Sequence, residues 1–213
     1  MIFKSLITAR GGSKSVPRKN ILKINGKPLI AFSILASINS NVTETWVSTD
    51  DMTIKNISIS YGSKVIDRPK KYATDNIMNE AALLQFAEQE NFDWLIFIQP
   101  TSPFIKSEYL NSAIKMIKTG KYDSVFSATK KHWSPTWTKD IKAINWDIYK
   151  RPRRQDIEEY YEENGMFYIT SKKRLVEKKL RYGGKMGIVE IPIYDSFQLD
   201  SNDDLILIKK IFK

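Results

Sequence analysis

Short apolar, β-branched runs alternate with helical periodicity along this chain, and that alternation constrains the fold more than any other feature. The runs at 2–9, 44–49, 63–66, 94–99, 124–129, 165–170 and 187–191 read as strands. The stretches 28–40, 52–60, 79–90, 107–119, 171–181 and 203–212 read as helices. Within 28–40, Ile30, Ile34 and Ile38 repeat at four-residue spacing beside Leu35. Gly120 is placed to stop the 107–119 helix. Ser201 and Asp204 form a capping box ahead of Leu205, Ile206 and Ile208. Strands and helices in alternation predict an α/β sandwich of three layers with a mostly parallel, Rossmann-like sheet. In such sheets ligands collect beyond the carboxyl ends of the strands. The loop 10–20, the pair Asp50-Asp51 and the loop 99–103 each follow a strand, so all three are expected on that edge. A chain of 213 residues is expected to form a single domain, 1–213.

The first loop carries the strongest chemical signal. The apolar run Ile2 to Ala9 ends in Arg10-Gly11-Gly12-Ser13-Lys14, followed by Pro17, Arg18, Lys19 and Asn20. Residues 1–28 hold seven cations and no acid, and the first acid is Glu44. A glycine turn lets backbone N–H groups approach an anion, and cations around it neutralise the charge. The loop therefore reads as a polyphosphate site; a basic surface turn is the alternative for the glycine pair taken alone. The spacing is not that of a Walker loop, and the third glycine of G-x-G-x-x-G is missing, so ATPase and dinucleotide-dehydrogenase readings lack support.

Composition narrows the classes further. Hydrophobic residues at 42% and charged residues at 27% are those of a globular protein. No apolar run reaches the roughly 18 residues of a membrane span, and the N-terminus lacks the pattern of a secretory signal. Cysteine is absent, which removes disulfides, thiolate metal sites and a cysteine nucleophile. A cytoplasmic protein without a membrane partner is expected. The formal charge of +10 raises nucleic acid as a partner. The basic block 172–185, however, reads as the solvated face of a helix whose apolar face is Leu175 and Leu180. The segment 130–164 breaks the rhythm: it holds Trp133, Pro135, Trp137, Trp146 and Pro152 with weak strand signals, and reads as an irregular excursion. His132, the one histidine, has no carboxylate or nucleophile beside it in sequence and reads as structural or exposed.

Several ordered motifs resemble those of the acylneuraminate cytidylyltransferases. They are Arg10-Gly-Gly-Ser-Lys14-x-x-Pro17-x-Lys19-Asn20, Gly26-Lys27-Pro28, Val47-Ser48-Thr49-Asp50-Asp51, Arg68-Pro69 and Ala73-Thr74-Asp75. Gln99-Pro100-Thr101-Ser102-Pro103, Arg153-Arg154-Gln155, Asn164-Gly165 and Asp195-Ser196-Phe197 with Asp200 follow in order. The resemblance implies a fold of the nucleotide-diphospho-sugar transferase type. It also implies a homodimer in which 130–164 serves as a dimerisation arm reaching the partner's site. The implied reaction joins CTP to a nonulosonic, sialic acid-like sugar acid and releases pyrophosphate, with Mg²⁺ as cofactor. Such a reaction needs charge neutralisation and positioning more than a protein nucleophile.

On this reading Arg10 and Lys19 bind the phosphates and take part in catalysis, with Gly11, Ser13, Lys14 and Asn20 beside them. The resemblance places Arg68 and Asp75 near the cytidine, and Gln99, Thr101 and Ser102 between nucleotide and sugar. Arg153, Arg154 and Gln155 suit a sugar carboxylate, because guanidinium forks bind carboxylates bidentately; a solvated basic cluster is the alternative. Tyr168 is expected in the core while touching the sugar. Asp200 is the expected metal ligand, since oxygen ligands suit Mg²⁺. The family's usual Asp-x-Asp here reads Gln198-Leu199-Asp200, which leaves Asp195 as a further candidate. Ser15 stands where the family often has glycine. Trp137 stands near where sialic acid enzymes hold the sugar carboxylate with a lysine. A legionaminic or pseudaminic acid falls within the main reading as the nonulosonic acid; a Kdo-type ulosonate, another nucleotidyl transfer or a nucleic-acid-binding module are the competing readings.

Overall fold

The computed structural model describes residues 1–74 and 76–212. In chain order the first elements are β1 (Phe3–Thr8), β2 (Lys23–Ile24), β3 (Lys27–Pro28), α1 (Leu29–Ile38), β4 (Glu44–Thr49) and α2 (Met52–Ser60). Then come β5 (Lys64–Asp67), α3 (Glu80–Gln89), β6 (Trp94–Ile98), α4 (Ser107–Lys118) and β7 (Ser124–Lys131). The last are β8 (Tyr160–Ser171), α5 (Lys172–Lys178), β9 (Met186–Glu190) and α6 (Asn202–Ile211). Seven strands form one sheet in the order β5-β4-β1-β6-β8-β7-β9. All neighbours are parallel except β8, which runs antiparallel to β6 and β7.

Side-chain alternation along the strands feeds two cores, one on each face. Phe3, Ile7, Val47, Ile96 and Ile98 point to one face and pack on Ile30 and Ile34 of α1, Ile54 of α2 and Ile114 of α4. Leu6, Leu95 and Phe97 point to the other and pack on Leu83 and Phe86 of α3 and Leu175 of α5. The result is the expected three-layer sandwich. A third cluster joins α6 to the first loop: Leu199 and Ile208 pack with Val16, Ile24 and Leu29. The small β2–β3 hairpin turns on Asn25 and Gly26, both at positive φ (46° and 79°), the dipeptide suited to such a turn.

Some local expectations shift. Helix α1 stops at Ile38, which is 41% exposed, because Ser37 instead faces the sheet and bonds Ser5 and Thr45. Helix α5 ends at Lys178, where Lys179 takes a left-handed conformation (φ 56°), and Leu180 is exposed rather than apolar-facing. Arg181 is no solvated cation: it forms a bidentate ion pair with buried Glu80 at 2.7 and 2.9 Å. Gly120 does end α4 at φ 70°, and the capping box at Ser201 and Asp204 is present. The excursion is shorter than expected. Lys130 and Lys131 extend β7, residues 160–164 begin β8, and 132–159 connect these antiparallel neighbours. Because β7 and β8 lie side by side, the excursion leaves and returns at one place, as a hairpin-like arm. Inside it Trp137 and Trp146 pack edge to face at 5.1 Å, and Arg151 lies over Trp146.

Candidate active site

A cleft of about 370 Å³ opens at the carboxyl ends of β1, β5 and β6. Arg10, Lys14, Lys19 and Arg68 all line it, and among the described residues no acid does. Thr8, Ser13, Ser15, Asn20, Asn79 and the turn Gln99-Pro100-Thr101 complete its wall. Each part is held from below. Asn20 is buried, and its amide donates to the Arg10 carbonyl at 2.9 Å, closing the loop on itself. Arg10 reaches the Ala73 carbonyl. Arg68 is 6% exposed and donates to the Ser48 hydroxyl and carbonyl at 3.0 and 2.9 Å. Burial pulls its guanidinium down to about 10; Asp50 opposes that shift and Arg10 adds to it. Arg68 is still a full cation at neutral pH.

Gly11 serves differently from the expected anion contact. Its N–H donates to Asp50 at 3.0 Å, and a Cβ there would stand 2.8 Å from an Asp51 oxygen. It lies outside the lining of the main cleft. The Asp50-Asp51 pair therefore braces the loop, and Asp51 also caps α2 through the Ile54 N–H.

A second cavity, also about 370 Å³, has the opposite character. Glu162, Glu163, Asp200 and Asp204 line it with Lys131, alongside Thr129, Asn164 and Gln198. Two contacts join it to the cationic cleft. Lys19 pairs with Asp200 at 2.9 Å, and Thr101 donates to the Gln198 amide oxygen at 3.0 Å. Gly165, at φ 65°, passes close under both amides: a Cβ there would be 2.6 Å from the Gln99 oxygen and 2.9 Å from the Gln198 nitrogen. Asp200 sits just before α6, where its N–H donates to Asp204 at 3.0 Å.

Arg10, Ser13, Lys14, Lys19, Asn20, Arg68, Gln99 and Thr101 are thus brought to one cleft, with Asp200 at its junction with the second cavity. Other expected residues are not. Ser102 is fully buried and lines neither cavity, because the turn points its side chain inward. Tyr168 is a core residue on the α3 face, stacked on Phe97, with its hydroxyl donating to Glu163 at 2.8 Å. Burial, then the Glu163 contact, raises that phenol. Arg153 is exposed and forks onto Asp156 at 2.8 and 3.0 Å. Arg154 and Gln155 line a separate cavity at the base of the arm with His132 and Trp133, reached across Lys131. Asp195 is buried against Lys106 and Tyr109 and is not available to a metal. Asp75 lies outside the described residues. Thr8, Asn79, Lys131 and Glu163 escaped the sequence reading. Thr8 could have been found as the last residue of a strand that ends at the site; the others reach it only through packing.

An α/β sandwich with a cationic cleft at the strand ends is the architecture of a protein that binds a phosphorylated ligand. A cytidylyltransferase family model matches residues 5–198, and the chain belongs to that family. It is 36% identical to N-acylneuraminate cytidylyltransferase A of Danio rerio, over 95% of this chain and 49% of that protein. It thus spans about half the length of that relative. It is 34% identical to CMP-N,N'-diacetyllegionaminic acid synthase of Legionella pneumophila, over 100% of this chain and 97% of that one. The structure of CMP:2-keto-3-deoxy-manno-octonic acid synthetase complexed with CTP superposes with a TM-score of 0.76 at 17% identity, covering 100% and 98% of the two chains, a likeness of fold.

Proposed function

We propose that this protein joins CTP to a nonulosonic sugar acid, giving the CMP-sugar and pyrophosphate. The observation that carries the reading is a cleft lined, among the described residues, by four cations and no acid, at the strand ends, joined to a polar cavity through Lys19–Asp200 and Thr101–Gln198. A triphosphate matches the first charge pattern. A polyhydroxylated acceptor matches the second, whose carboxylates and amides accept and donate hydrogen bonds. Arg10, Lys14 and Lys19 neutralise the phosphates, and Arg68, fixed by Ser48, holds the base side of the cleft. Gln99, clamped over Gly165, stands between nucleotide and acceptor. The acceptor's anomeric hydroxyl attacks the α-phosphorus and gives its proton to water, the bond from that phosphorus to the α–β bridging oxygen breaks, and pyrophosphate leaves with that electron pair. Positioning and charge neutralisation supply the rate, and no protein nucleophile is required.

Magnesium fits the residues present in one form. Among the described residues no group of three or more His, Cys, Asp or Glu could hold a metal. Asp200 offers one exposed carboxylate with Lys19 on a single oxygen, and Gln198 adds a neutral amide. One carboxylate completed by phosphate oxygens and water is a usual Mg²⁺ environment. Bound there, the ion would withdraw charge from the phosphates.

Supporting a homodimer, the arm exposes Ile141, Ile144, Ile148 and Tyr149, a set of apolar side chains suited to a second copy. Among the described residues no helix is long and apolar enough to cross a membrane, in keeping with our reading of a cytoplasmic enzyme. The test is pyrophosphate release with Mg²⁺ and each of the four nucleoside triphosphates, against N-acylneuraminic, legionaminic, pseudaminic and Kdo-type acids. Release confined to CTP and one nonulosonic acid is expected. Release with another triphosphate, or with a Kdo-type acid alone, overturns it.

A further inference from the structure

We propose that Asp195 is a positioning residue: gripped by Lys106 and Tyr109, it fixes the stretch 191–201 so that Gln198 and Asp200 stand where the two cavities join. The task assigned to Asp200 rests on the transfer reading above. The stretch 191–201 joins β9 to α6, and apart from one short turn at Ile193–Asp195 it has no helix or strand of its own. Ile193, Tyr194 and Phe197 are exposed, and within 192–200 the buried residues are Asp195 and Leu199. Leu199 is an apolar anchor, and its N–H donates to the Thr101 carbonyl at 2.8 Å.

Asp195 is the unusual anchor. It is 5% exposed, and a carboxylate buried so deeply is costly unless it is paired. One of its oxygens takes both the Lys106 ammonium, at 2.5 Å, and the Tyr109 hydroxyl. Lys106 also lies over the rings of Tyr109 and Tyr194. Burial, then the bond to Asp195, raises the Tyr109 phenol, so it remains a donor. An apolar contact lets a segment slide, whereas two bonds to one carboxylate oxygen set both its position and its direction.

Asp195 lines neither cavity, so it acts through the chain that it holds. Its grips come from the stretch that follows β6. That same stretch presents Gln99 and Thr101 to the cationic cleft and holds Leu199. The Asp195 contacts therefore tie together the two walls between which Lys19 meets Asp200 and Thr101 meets Gln198. A displacement of about 1 Å between such walls is enough to cost on the order of 100-fold in rate.

The experiment compares wild type with Asp195→Asn, Tyr109→Phe and, as a control, Glu44→Gln at the amino end of β4. Amide hydrogen exchange is followed at Leu199 and Asp200, and at Ile96 and Ile98 within the sheet. Steady-state kinetics give kcat and KM for CTP. In Asp195→Asn, exchange at Leu199 and Asp200 should quicken at least about tenfold, while the sheet amides match wild type. Its kcat should fall about tenfold with KM for CTP unchanged, because Arg10 and Arg68 keep their own supports. Tyr109→Phe keeps the ring and removes one donor, so it should shift exchange and kcat the same way by less. Glu44→Gln should change neither. Unchanged exchange at Leu199 and Asp200 overturns the assignment. So does exchange that quickens equally in the sheet, a rise in KM for CTP that accounts for the lost activity, or a loss of kcat no larger than that of Glu44→Gln. If wild type releases no pyrophosphate with any sugar acid, the transfer reading fails separately, and the exchange at Leu199 and Asp200 still decides whether Asp195 fixes this stretch.

Discussion

In the proposed reaction Arg10, Lys19 and Asp200 each have a distinct task. Removing Lys19 leaves Asp200 without its 2.9 Å partner and strips a charge from the phosphate cleft at the same time. Lys19→Met should therefore lower kcat/KM for CTP by about 100-fold, the scale of losing one preorganised electrostatic contact, and Arg10→Ala should do the same. Steady-state kinetics on folded variants check both; normal turnover in the two would displace the triphosphate from this cleft. Asp200→Asn should keep its fold, since the side chain is 63% exposed, yet lose Mg²⁺-dependent turnover. A metal titration decides it. Gly165 is constrained from another side. Its φ of 65° and the 2.6 Å approach of the Gln99 oxygen leave no room for a methyl group. Gly165→Ala should cost about 1–3 kcal/mol of stability and push both glutamine amides out of place. A melting curve near wild type would show that the turn relaxes freely.

At the scale of elements, α6 is as much a part of the site as the first loop. Ser201 caps the helix, Asp204 returns the bond, and the same Asp204 carboxylate accepts the Asp200 N–H. Burial pushes the Asp204 carboxyl up, but hydrogen bonds from Ser201 and the Asp200 backbone outweigh it and hold the group below its usual range. Ser201→Ala should then cost about 1 kcal/mol, as cap losses do. It should also reduce kcat by loosening Asp200, whereas a cap at a remote helix would leave kcat alone. Measuring stability and kcat on the same variant separates the two outcomes. The start of α6 and its cap were readable because they depend on local backbone chemistry. The extension of β8 back to Tyr160 was not, because residues 160–164 become strand only by pairing with β7 across the arm.

For the molecule as a whole, charge is divided between the two ends of the sheet. The site sits at the carboxyl ends of the strands. On the amino-terminal part, Glu44 joins Lys64 at 2.6 Å and Lys4 at 2.9 Å, and Lys4 also meets Glu90 at 2.7 Å. Hydrogen bonds from Lys64, Lys4 and the Trp46 N–H hold the Glu44 carboxyl down at about 2, against an ordinary value of 4.5. A carboxyl depressed by folding contributes stability that is complete above its unfolded value and is lost as pH falls through the folded one. Melting temperature should fall as pH drops from about 4.5 toward 2, and Glu44→Gln should flatten part of that slope. At neutral pH the same change should cost about 1 kcal/mol, because the network is partly exposed. An identical acid profile in the variant would assign the slope to other carboxylates.

The sequence by itself determined the strand and helix alternation, the phosphate loop and the family resemblance. These follow from local periodicity, turn chemistry and ordered motifs. Only the tertiary structure decided that Lys19 meets Asp200, that Arg68 is buried against Ser48, that Asp195 is buried against Lys106 and that Lys131 faces an acidic cavity. Each of those facts joins residues distant in the chain, and the sheet order, the reversal at β8 and the packing of α6 on the first loop bring them together. Strand pairing and close packing are cooperative properties of the whole chain, and local residue patterns do not specify which distant side chains they bring into contact.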